Sequence, residues 1–138
     1  MKTAMRSVDC VQDDQRARLF AERELKVSIA DPMIGLVVVE NGVIVGAIIL
    51  NDYTPERNIE VTAVGHCWPV KVIRFILRYC FARVRRVTAR TSVNNTAAIR
   101  ALEAMGFKRE GIMREFFDDG DAVVFGLLRS EQKVVRLK

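Results

Sequence analysis

The stretch Arg86–Phe107, RVTARTSVNNTAAIRALEAMGF, constrains the fold more than any other part of the chain. Val87 and Ala89 alternate with Arg86, Thr88 and Arg90, the two-residue period of a half-buried strand. Asn94 and Asn95 follow, and their side-chain oxygens can accept the unpaired N–H groups of a first helical turn. Ala97, Ala98, Ala101 and Ala104 favour a helix, with Ala98, Ala101, Leu102 and Met105 along one face. Gly106 suits the left-handed position that ends a helix, and Phe107 after it would then touch Leu102. A strand that runs straight into a short, sharply stopped helix predicts a βα unit laid on a sheet.

The rest of the chain supplies that sheet. Val11–Val27 is rich in helix formers, and Leu19, Phe20 and Leu25 among charged residues predict an amphipathic surface helix. Asp31-Pro32 breaks it. Ile34–Glu40 and Val43–Leu50 are β-branched runs joined by Asn41-Gly42, the strongest short hairpin signal. Asn51–Arg57, with Pro55, reads as a loop, and Asn58–Val64 as a further strand. Pro69 suits the first turn of a helix expected to reach about Val84. Its buried face is Ile73, Ile76, Leu77, Cys80, Phe81 and Val84; Lys71, Arg74, Arg78 and Arg85 mark the solvent side. Lys108–Phe117 and Ala122–Leu128 read as a closing hairpin around Asp118-Asp119-Gly120-Asp121. Met1–Cys10 shows no clear pattern. The order α, β-hairpin, β, α, β, α, β-hairpin predicts one α/β domain over residues 1–138, with residues 1–10 and 130–138 peripheral. The expected sheet is mixed and mostly antiparallel, with helices on both faces.

Half of the 138 residues are apolar and 28% are charged, which excludes a disordered chain. The net charge of +5 favours acidic partners or an anionic cofactor, or serves only solubility. Cys10, Cys67 and Cys80 have no CxxC spacing and do not complete a zinc site with His66, so no metal is expected. A reduced, cytoplasmic protein follows. The polar start carries no signal-peptide pattern, and the longest apolar run, Gly42–Leu50, is too short to cross a bilayer. No membrane partner is expected. Arg83, Arg85, Arg86 and Arg90 cluster without interleaved aromatics; a solvated edge is the default, and nucleic acid is not expected as a partner.

The strand, the Asn-started helix and its Gly-Phe stop resemble the last βα unit of the GNAT superfamily, the acetyl-CoA-dependent N-acetyltransferases. Asn95 and Gly106-Phe107 match that pattern at the family spacing, and the element order fits the family fold from about Gly35 to Arg129. Glu110–Arg129 resembles the ribosomal-protein acetyltransferase branch and, more closely, acetyltransferase-like proteins of tailed phages.

The resemblance implies acetyl transfer from acetyl-CoA to an amine, on a small molecule or on a protein N-terminus or lysine. Pantetheine would pair with backbone at Ala63 and Val64, and the pyrophosphate would face the helix start after Pro69, near Trp68, Lys71 and Arg74. A helix N-terminus suits an anion; Lys71 and Arg74 are otherwise a solvated face. Asn95 is a helix cap, a CoA contact, or both. Glu60 is the candidate base, its alternative being an exposed residue on the polar phase of the strand. Trp68 is otherwise a core or rim aromatic. The family's phosphate loop is altered: its glycines correspond to Cys67 and Pro69, and its basic or amide residue to Val64. Leu102 stands where the family often carries a tyrosine as general acid. A Cys67 thiol activated by a helix start is a further, separate reading. A GNAT-fold module that binds without catalysing is the alternative function, and an exposed final strand would allow a homodimer.

Overall fold

The computed structural model describes residues 7–67 and 69–137. Its elements are β1 (Val8–Gln12), α1 (Asp14–Leu25), β2 (Ile34–Glu40), β3 (Val43–Thr54), β4 (Glu56–Gly65), α2 (Val70–Phe81), β5 (Val84–Ser92), α3 (Thr96–Ala104), β6 (Lys108–Phe117) and β7 (Gly120–Leu128). The strands hydrogen-bond in the order β1-β2-β3-β4-β5-β7-β6, mostly antiparallel with one parallel pair. This mixed α/β architecture is the expected one. Two compact units divide the chain: residues 1–51 with 63–73, and residues 52–62 with 74–138.

In the first unit, the Asn41-Gly42 turn joins β2 to β3 as predicted, with positive φ at both residues and Glu40 opposite Val43. α1 lies directly on β2. Asp13 caps the helix by accepting from the Arg16 N–H, and Asp14 accepts from the Gly35 N–H. A Cβ at Gly35 would come within 2.6 Å of the Ala17 Cβ, so only glycine lets the helix approach this closely. Ala17, Ala21, Val37, Ala47, Ile49 and Val64 form the core beneath it. β1 joins the patternless Val8–Cys10 to Val11 and Gln12, which the sequence placed in the following helix; that helix begins only at Asp14. VDCVQ has little strand character of its own, and it is ordered by pairing with the edge of β2 from Val8↔Glu40 to Gln12↔Leu36.

In the second unit, β4 and β5 are parallel from Glu56↔Val84 to Val61↔Ala89, the arrangement an intervening helix makes possible. β5 alternates as predicted, with Val87, Ala89 and Thr91 buried. α2 buries Ile76, Leu77, Cys80 and Phe81 as expected. It stops at Phe81, short of Val84, because Val84 already belongs to β5. The expected loop at Asn51–Arg57 is also corrected. β3 continues to Thr54 and β4 begins at Glu56. Pro55 occupies only the tight turn, where its missing N–H leaves no ladder bond unmade, and the Asn58 amide donates to the Asp52 carbonyl beside it.

α3 is built as its sequence dictates. The Asn95 carboxamide oxygen accepts from the Ala98 N–H at 3.1 Å. Gly106 has φ +96°. The Phe107 N–H donates to Leu102 O and the Gly106 N–H to Glu103 O, which is the complete Schellman closure. β6 and β7 form the closing hairpin, with bulges at Arg109/Gly111 and Met113/Phe117.

Candidate active site

Within the first unit, the predicted cofactor residues lie on the end of β4 and the start of α2. The parallel ladder with β5 ends at Val61, whereas β4 runs on to Gly65. The backbone of Ala63 and Val64 therefore lies beyond that ladder. Val64 turns its side chain into the core around Ala47 and Ile49.

The following turn is packed against β3. His66 N–H donates to Val45 O at 2.9 Å, and a Cβ on Gly46 would come within 2.7 Å of His66 O and 2.8 Å of the Cys67 sulfur. The Cys67 thiol is buried and donates to the carbonyls of Val64 and Ala47 at 3.2 and 3.4 Å. Burial pushes its pKa up to about 12, so the reading of Cys67 as an activated thiol is overturned. Pro69 O accepts from the N–H groups of Val72 and Ile73 at the start of α2. The Lys71 ammonium reaches β1, donating to Val8 O at 3.0 Å and lying 3.5 Å from Asp9. Trp68 lies outside the described residues.

Within the second unit, Glu60 is only 6% exposed. The alternative of an exposed strand residue therefore fails. Its carboxylate takes a two-pronged bond from Arg90, Nε to Oε2 at 2.5 Å and Nη2 to Oε1 at 2.7 Å. The Arg90 guanidinium also lies 3.8 Å from Asp52, 3.6 Å from the Met113 sulfur and 4.7 Å from the centre of the Phe116 ring. Burial pushes the Glu60 carboxyl above its ordinary pKa, and Arg90 offsets only part of that. The raised pKa makes Glu60 a stronger base than a surface carboxylate.

Arg90 was legible as the polar phase of β5 but not as the partner of Glu60, because the β4–β5 register decides that. The same polar face continues through Asn58, Thr88, Arg86 and Glu110: the Thr88 hydroxyl donates to Asn58 Oδ1 at 2.6 Å, and Arg86 holds Glu110 at 2.5 Å. Arg74, the remaining predicted cofactor contact, lines a shallow cavity with Arg78, Lys133 and Arg136. Asn95 uses its side-chain oxygen as the cap of α3. Among the described residues, no three His, Cys, Asp or Glu converge as metal ligands, and no helix is long and apolar enough to cross a membrane.

No family model matches the sequence, and no curated protein sequence matches it. Solved structures do. A protein provisionally named an acetyltransferase is 25% identical with a TM-score of 0.65, over 74% of this chain. The alignment covers 62% of that protein's length. The spermidine/spermine N-acetyltransferase SpeG from Vibrio cholerae, in mutant forms, aligns with 90% of this chain and 96% of its own at 16% identity and a TM-score of 0.72. The same enzyme, crystallised with CoA and spermine, gives 15% identity and a TM-score of 0.70 over 90% of this chain and 96% of its own. The fold is that of GNAT-type acetyltransferases.

Proposed function

We propose that the protein is an acetyl-CoA-dependent N-acetyltransferase acting on an amine, in the cytoplasm. The observation that carries this reading is the fold, shared with acetyltransferases over nine-tenths of the chain. That the parallel ladder ends at Val61 while β4 continues also supports it. Backbone at Ala63 and Val64 is then available to pair with a pantetheine arm, a role needing no particular side chain. Acetyl-CoA would supply the activated acyl group. An amine must lose a proton to attack it, and Glu60 is the residue we assign to that role. Both Glu60 oxygens accept from Arg90, yet each keeps a further lone pair, and burial keeps the carboxyl basic.

The phosphate end fits less well. The turn after Gly65 is packed onto β3, and Lys71 is engaged by Val8 and Asp9. The start of α2 still offers first-turn N–H groups and a positive dipole end. We therefore infer weak CoA binding, in roughly the micromolar to millimolar range, about −8 to −4 kcal/mol. The acceptor is an amine-bearing small molecule or a protein N-terminus or lysine. Kinship with the ribosomal-protein branch or with phage acetyltransferase-like proteins rests on Glu110–Arg129 alone. The final strand, β7, is not the exposed edge expected, because it pairs with β5 on one side and β6 on the other; a homodimer would instead use β6, terminal in the strand order with Ile112 56% and Phe116 44% exposed.

Titration calorimetry with acetyl-CoA at two salt concentrations tests this. Measurable binding that weakens with salt is expected. No heat and no thermal shift at millimolar acetyl-CoA would replace the enzyme by a non-catalytic binding module. Tight, salt-insensitive binding would show that the turn after β4 holds phosphate better than its packing implies.

A further inference from the structure

The outer face of α2 and the C-terminal segment carry a cluster of which the acetyltransferase reading uses only Arg74. Arg74, Arg78, Lys133 and Arg136 surround one shallow cavity of about 490 Å³ in the second unit. None of these four has an ion-pair partner among the described residues. Four unpaired cations around one concavity repel each other, so the arrangement favours a ligand with several negative charges.

The segment holding Lys133 and Arg136 is fixed in place. Gln132 Oε1 accepts from the Val134 and Val135 N–H groups at 3.1 and 3.0 Å, and its amide donates to Val135 O at 2.8 Å. Val135 is buried, and Arg129 reaches back to the Phe81 carbonyl at the end of α2.

The same helix also carries two aromatic residues that are not buried. Phe75 and Tyr79 follow Arg74 and Arg78 by one residue each, so the two pairs run side by side along the helix. Phe75 is 44% exposed, its ring centre is 6.5 Å from that of Tyr79, and the Arg83 guanidinium stacks 3.8 Å over Tyr79. Clustered cations with one exposed ring on the same helix, Phe75, match what a single-stranded nucleic acid needs: charge for successive phosphates and a flat face for a base. An acidic peptide would use the charge and leave Phe75 idle. We propose that this face binds single-stranded nucleic acid, with phosphates at Arg74, Arg78, Lys133 and Arg136 and a base on Phe75.

The test is fluorescence anisotropy of a labelled 12-nucleotide oligouridine with the full chain, with heparin and poly-glutamate as competitors. Four phosphate contacts predict a log–log salt slope of about −2.8, so affinity should fall about fiftyfold from 50 to 200 mM salt. Arg78→Glu should flatten that slope by at least one contact. Phe75→Ala should weaken oligouridine about fivefold or more while leaving heparin binding unchanged. Circular dichroism melts of both exposed-site variants establish that they are folded. No binding at 50 mM salt overturns the proposal. So does Phe75→Ala without effect, which would reduce the face to a general polyanion site, or poly-glutamate competing as well as oligouridine, which would make the partner an acidic protein.

Discussion

The Glu60–Arg90 pair allows a quantitative test of the second unit. Two unit charges about 4 Å apart attract by about 4 kcal/mol at an effective dielectric near 20. The Glu60 side chain is 8% exposed and that of Arg90 25%, so desolvation of both offsets much of that attraction. The net coupling should be about 1.5–3 kcal/mol. Removing one partner costs more than the pair contributes, because the other stays buried. Arg90 is partly wetted and keeps Asp52 and the Phe116 ring. Glu60→Ala should therefore cost about 2–4 kcal/mol, somewhat under the range for a fully buried pair. Urea unfolding of wild type, Glu60→Gln, Arg90→Met and the double variant at pH 7 gives the coupling directly. Single-variant losses that add to within about 0.5 kcal/mol would refute the pair as an energetic unit.

The pH dependence of the same variants has a definite sign. Burial raises the folded pKa of Glu60 above its unfolded value. The native state then binds more protons across that window. The stability this contributes is fully present below the ordinary glutamate range and is lost as pH rises through the folded pKa. Wild type should gain on Glu60→Gln as pH is lowered from neutrality toward the ordinary glutamate pKa. A gap that moves the other way would mean that Arg90 outweighs burial. Gly106 sits at φ +96°, and a Cβ there would meet only Leu127 Cδ1 at 3.7 Å, an ordinary contact. Gly106→Ala should therefore cost about 1–2 kcal/mol from backbone strain alone; an unchanged urea midpoint would refute the Schellman assignment. Cys67 and Cys80 are buried with pKa values raised to about 12, so iodoacetamide under mildly alkaline conditions should label only Cys10 in the folded protein. Mass spectrometry showing rapid alkylation of Cys67 would restore the thiol reading.

Local architecture was already legible in the order of residues. The Asn41-Gly42 hairpin, the Asn95 cap and the Gly106-Phe107 stop all depend on hydrogen bonds between residues five or fewer apart in the chain, and on periods of two or 3.6. The same cues set the order of elements and hence the fold class. Long-range pairing controls the rest. β1 exists because the edge of β2 orders it, with Val8 opposite Glu40. Glu60 is buried, and held by Arg90 thirty residues on, because the parallel register puts Glu60 opposite Thr88. A one-residue slip in that register would have moved every polar side chain of β4 to the other face. Cys67 became inert through its packing on β3. The cations of the tail became one cavity with those of α2 only through the fold of the C-terminal segment around Gln132. Spacing in a sequence reveals which residues share an element and a face. Which faces meet depends on loop closures and strand registers, whose energies are spread over contacts far apart in the chain.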